Sequence, residues 1–165
     1  MGFWGDLPTW ITTVAVGLAV WQFWHERQRR RAEVDLDRRA QPSRLTTWVV
    51  ARIGDQPYPI SRGVVVNNHS GTSFNSVQIS VKFDNQEMKP INISVLPPGE
   101  FFVEFDANSK RWNFAERCED AKADGTWLRP VMQTEKYTVE SVEFSDNKGQ
   151  RWRTNDRAIL ELVAT

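Results

Sequence analysis

The chain has little of what staples small folds or carries metal chemistry. Of 165 residues, one is cysteine, Cys118, and two are histidine, His25 and His69. A single cysteine forms no internal disulfide, so no disulfide framework underlies the fold. Two histidines without partner cysteines make no zinc-ligand spacing, and neither a metal nor a cofactor is expected. An excess of one charge is also missing: 21 basic and 21 acidic residues cancel. That balance argues against a nucleic-acid partner, which usually requires a clear basic surplus. No GxSxG, P-loop or dinucleotide fingerprint occurs in the sequence, so the familiar hydrolase and nucleotide sites are excluded.

Long uncharged runs are scarce as well, and the one near the N-terminus is informative. Leu7 to Trp24 carries no charge. As a helix this segment is about 27 Å long, against a hydrocarbon core of ~30 Å. Trp4 and Trp10 lie toward one end and Trp21 and Trp24 toward the other, where interfacial aromatic belts form. A cleaved signal peptide would need a basic residue before the run, and "MGFWGDLP" has none. An interfacial amphipathic helix would need a charged face, which the run lacks. A buried core helix fits the length alone; length and flanks together favour a spanning helix.

Orientation follows from the flanks. Arg27, Arg29, Arg30 and Arg31 come directly after the run, and no Lys or Arg precedes it. Positive charge stays on the cytoplasmic side, so the expected topology is N-terminus outside and body inside, with the arginines facing anionic lipid headgroups. The helical pattern continues through "HERQRRRAEVDLDRRA", with Glu26–Arg30 and Asp35–Arg39 spaced acid-first four apart. "AQPSR" ends it, because Pro42 disfavours helix in the residue before it. Residues 1–42 thus form a transmembrane helix and charged stalk, and residues 43–165 a separate domain.

Past residue 44 the period changes to two. "VQISVKF", "INISV" and "FFVEF" alternate apolar and polar residues, as half-buried strands do. "LTTWVVARI", "GVVVNN", "YTVESVEF" and "QRWRT" add β-branched and aromatic runs. "AILELV" fits either a last strand or a helical turn. Turn signals such as "NNHSGTS", "LPPGE" and "SDNKGQ" separate them, with Gly149 suited to a left-handed hairpin position. Six to eight short strands without alternating helices imply an antiparallel β-sandwich, a mainly β fold. "SKRWNFAERCEDAKADG" alone lacks the two-residue period and fits a short helix ending at Gly125.

"VVVNNHSGTSFNSVQISV" followed by "VLPPGEFFVEF" resembles the immunoglobulin-like modules of bacterial surface and membrane proteins. "FSDNKGQRWRT" is similar to the closing hairpin of uncharacterised membrane-anchored bacterial proteins with an N-terminal helix. Over residues 45–157 the resemblance implies an immunoglobulin-like sandwich and no particular activity, since sandwiches host many functions.

The remaining candidates are weighed against plain structural roles. Cys118 sits among Glu116, Arg117, Glu119 and Asp120; acidic neighbours raise a thiol pKa, so a small buried residue is expected rather than a nucleophile. Glu100, Glu104 and Asp106 share a strand face that alternation already makes polar. Trp152, between two arginines, and Trp48 are expected in the core. Trp112 and Trp127 bracket the irregular segment and are the candidate partner-binding residues. The resulting expectation is a non-enzymatic adaptor, assembly or regulatory module tethered to the inner membrane face and bound to a protein partner. A sheet edge and residues 107–130 are its contact surfaces, and confinement to a surface compensates for a weak interface. An extracellular ligand- or carbohydrate-binding sandwich of opposite topology is the alternative. A small hydrolase lacks a visible acid–base constellation.

Overall fold

The computed structural model describes residues 21, 22, 26, 39–56, 58–122 and 125–163. The chain divides into two compact units, Met1–Arg39 and Ala40–Thr165. In the first, Trp21, Gln22, Glu26 and Arg39 have α-helical backbone. The run Leu7–Trp24 otherwise lies outside the described residues, as do Trp4, Trp10, Trp24, Arg27, Arg29, Arg30 and Arg31. Among the described residues no helix is long and apolar enough to cross a membrane.

The second unit is built from two antiparallel sheets. The first contains β1 (Leu45–Ile53), β2 (Pro59–Asn68), β6 (Gly99–Asp106) and β9 (Trp127–Pro130), in the order β6-β2-β1-β9. The two-residue strands β7 (Arg111–Trp112) and β8 (Glu116–Arg117) pair with opposite ends of β6. The second sheet runs β12-β11-β10-β3, from β12 (Leu160–Leu162), β11 (Arg151–Asn155) and β10 (Tyr137–Ser145) to β3 (Phe74–Phe83). On the far side of β3 lie β4 (Gln86–Glu87) and β5 (Ile91–Leu96). "AILELV" is therefore a strand, and the mainly β sandwich is present.

Alternation fills the space between the sheets. Val77, Ile79 and Val81 of β3, Val64 and Val66 of β2, Val103 of β6, and Val142 and Phe144 of β10 point into one buried cluster. Trp152 joins it at 3 % exposure, and its indole N–H donates to Asp146 Oδ2 at 2.9 Å. Burying an indole requires such an acceptor, because an unpaired N–H in the core is costly. Asp146 also receives the Lys148 and Gln150 amides, which shapes the turn that Gly149 completes at φ 76°. Asn68, only 2 % exposed, donates from its amide to the Thr72 and Leu96 carbonyls and accepts from Ser70. A side chain so enclosed supports no glycan, although Asn68-His69-Ser70 matches the acceptor pattern.

The first sheet is buried on its outward face too. Val50, Val65 and Phe102 point away from the main core into a second cluster completed by Cys118 and Ala121. Those last two residues belong to the aperiodic segment, which folds back through β8 and a 3₁₀ turn at Asp120–Lys122. The short helix expected there is a single 3₁₀ turn, and the left-handed Gly125 at φ 71° follows it. The turn covers apolar strand residues with few residues of its own, and a longer helix is not required. Gly63 belongs to the same layer: a Cβ there would overlap the Phe102 ring and the Val103 carbonyl. Trp48 packs half-buried against this second cluster rather than in the inter-sheet core.

Candidate functional site

The chain joins the sandwich at Gln41–Leu45, where the Gln41 amide donates to Thr72 Oγ1 at 2.6 Å. From there β1 runs about 27 Å, at ~3.4 Å per residue, to the β1–β2 turn at the far end. Exposed apolar residues gather at that end. Tyr58 and Ile60 are 78 % and 62 % exposed, and Trp127 is 50 % exposed. Register brings them together: Ile53 pairs with Pro59 on one side and with Trp127 on the other. Pro59 and Trp127 are thus about 10 Å apart across β1. Beside Ile60 opens a cleft of about 650 Å³ that reaches Arg62, Met88, Phe105 and Tyr137.

Aromatic packing forms the inner wall of this end. Phe83 meets Phe105, Trp112 and Tyr137 edge-on at centroid distances of 5.8, 5.5 and 5.6 Å. Phe105 and Trp112 are 5.1 Å apart. The Arg62 guanidinium lies 4.7 Å above the Tyr137 ring, where the cation meets the negative ring face. Trp112 is therefore half-buried, and its indole N–H donates to the Lys89 carbonyl at 2.6 Å. It differs in this from the exposed Trp127, whose strand β9 lies at the opposite edge of the first sheet from β7. The two tryptophans that bracket the segment do not share a surface of their own.

The carboxylates of β6 are engaged locally. Glu104 accepts from Ser61 and, at 3.2 Å, from Asn113, and lies 3.6 Å from the Arg52 guanidinium. Asp106 accepts from the Asn108 amide at 2.9 Å. The Ser109 hydroxyl, followed by the Asn108 amide, holds its carboxyl below the usual range. Glu100 is exposed and acts on Cys118, whose thiol is pushed up to about 11 by burial first and by the Glu100 charge second. A thiol so protonated is a poor nucleophile. Among the described residues no three metal-ligating side chains converge.

Sequence reasoning singled out Trp127 but passed over Tyr58, Ile60 and Phe114, the last of which is 99 % exposed. The signals were present: "PYPI" sets two large apolar residues among prolines of a turn, and "WNFAE" places Phe114 where no two-residue period hides it. A search against protein-family models, curated proteins and solved structures gives no match to this chain.

Proposed function

We propose that this chain is a membrane-tethered, non-enzymatic interaction module, an adaptor, assembly or regulatory subunit whose sandwich faces the cytoplasm. One observation carries the interaction reading. The exposed apolar residues Tyr58, Ile60 and Trp127 gather at the end of the domain farthest from Gln41–Leu45, where the chain joins it. Exposed apolar side chains of this kind suit a protein partner, and confinement to a surface raises effective concentration. Tethering and orientation rest on the uncharged run Leu7–Trp24 and on Arg27, Arg29, Arg30 and Arg31 behind it. The strand order supports the immunoglobulin-like reading. Strands β1, β2 and β6 lie in one sheet and β3, β10 and β11 in the other, as A, B, E and C, F, G do in that fold.

The exposed aromatics Tyr58 and Trp127 favour one second reading, an extracellular carbohydrate- or ligand-binding domain of opposite topology, because sugars stack on such rings. Topology separates the two. Cys118 is buried and held protonated, so Asn147→Cys at an exposed turn supplies the reactive thiol. A membrane-impermeant maleimide is expected to label it only after cells are permeabilised, with the protein staying in the membrane fraction through an alkaline wash. Labelling of intact cells would turn the reading to the extracellular one, and release by alkali would remove the spanning helix.

A further inference from the structure

On its outer side β5 leaves a backbone edge open. The strand pairs with β3 on one side, and among the described residues no strand pairs with the other. Edge strands are ordinarily blunted by charge, proline or cover, since bare N–H and C=O groups recruit further strands. Residues 91–96, "INISVL", contain neither a charge nor a proline, and Pro90, Pro97 and Pro98 lie just outside. Alongside the open edge runs a groove of about 760 Å³, between Asn92–Ser94 and the segment Arg111–Ala115. Val103, Ile93 and Trp112 line it, and the Trp112–Lys89 hydrogen bond ties its two walls together. Phe114 belongs to the same lining and is almost wholly in water.

Charge selects the occupant. The charged side chains lining the groove are Lys89 and Arg111, both cationic, and no carboxylate is among them. The nearby Glu104 is already engaged with Arg52, Ser61 and Asn113. Lys89 lies two residues before Ile91, and Trp112, the neighbour of Arg111, donates its indole N–H to the Lys89 carbonyl. We propose that β5 accepts an extended segment of a partner protein, added antiparallel as a further strand, apolar along its length and acidic at its C-terminal end. Backbone hydrogen bonds to the open edge supply affinity, and side-chain pockets and charge supply selectivity. Phe114 folds over the added strand and gives up its contact with water. The β5 edge is not part of the Tyr58–Trp127 end, although Trp112 and Asn113 stand between the two, and the proposal does not depend on membrane tethering.

The probe is the peptide acetyl-Val-Thr-Val-Thr-Val-Glu-Glu-amide, titrated into the isotope-labelled full chain in lipid nanodiscs. Amide resonances of residues 91–96 and 111–115 are expected to shift with saturation. The same peptide N-methylated at alternate valines should fail to bind, because strand addition needs its N–H groups. Replacing both glutamates by lysine, or Phe114→Ser in the protein, should weaken binding roughly tenfold or more, and Phe114→Ser should leave the thermal midpoint in place. Equal binding of the N-methylated or lysine peptide overturns the proposal. So do shifts confined to another sheet edge, or none at all.

Discussion

The two sheets of this domain share one core but differ on their outward faces. The second sheet presents Gln78, Lys82, Glu143, Arg151 and Arg153 to solvent. Lys82 donates to Glu140 at 2.7 Å, and Glu143 lies 3.4 and 3.7 Å from Arg151 and Arg153. The first sheet presents Val50, Val65 and Phe102, and a separate stretch of chain covers them. A sheet wetted on one face alternates strictly, whereas one buried on both faces reads as a continuous apolar run. "VQISVKF" and "GVVVNN" are those two patterns side by side in one chain. The aperiodic segment after β6 therefore has a structural duty in its second half, through Cys118 and Ala121. Its first half, Arg111–Ala115, stands clear of that layer and lines the groove beside β5.

The largest expected effect tests whether the cover is part of the core. Phe102→Ala should cost about 3–5 kcal/mol in a denaturant titration, as deletion of a buried aromatic does. Gln78→Ala, outward on the other sheet, should change stability by less than ~0.5 kcal/mol. Equal, small losses at both positions would mean that the first sheet's outer face is not packed. A smaller effect separates the bracketing tryptophans. Trp112→Ala removes a ring held between Phe83 and Phe105 and should cost about 2 kcal/mol. Trp127→Ala at the exposed end should cost under ~1 kcal/mol. Matched thermal midpoints would erase the distinction between them.

The smallest effect is an alkaline one. Cys118 is protonated in the fold up to about 11, against an ordinary 9.0. The native state then holds a proton that the unfolded chain releases. The associated stability is complete below pH 9 and declines as pH rises from 9 towards 11. The loss should be on the order of 1 kcal/mol, and Cys118→Ala should abolish that part of the slope. A parallel slope in the variant would show that the thiol is not under the cover.

How much of this was legible depends on which physical signal a residue carries. Strands β3, β5 and β6 announce themselves by period two, β10 and β11 by β-branched and aromatic runs, and Trp152 by its arginine neighbours. Gly149 was readable because a hairpin turn demands φ > 0 at that place. The strands β7, β8 and β9 were not legible, because two to four residues hold no period. The half-burial of Trp112 was not legible for a related reason: it packs against Phe105 and against Phe83, the latter distant in sequence and brought close only by sheet packing. The run "VVV" did carry the sign of a face covered twice, though nothing local said which segment would cover it. For the candidate surfaces, the short stretches around Tyr58, Ile60 and Phe114 mark apolar residues outside the strand pattern, but how far each is exposed depends on what fails to pack over it.

Asn68 bears on how the protein ages. Its amide nitrogen faces the Thr72 and Leu96 carbonyls, while its oxygen accepts from Ser70. Slow hydrolysis of an asparagine side chain to aspartate keeps the shape but swaps the donor for an oxygen. Two attractive contacts would then become oxygen facing oxygen at a buried position. Damage of this kind leaves the apolar contacts in place and loosens the turn that Gln41 also holds through Thr72, so an old molecule would fail at that turn while its core still measured as sound.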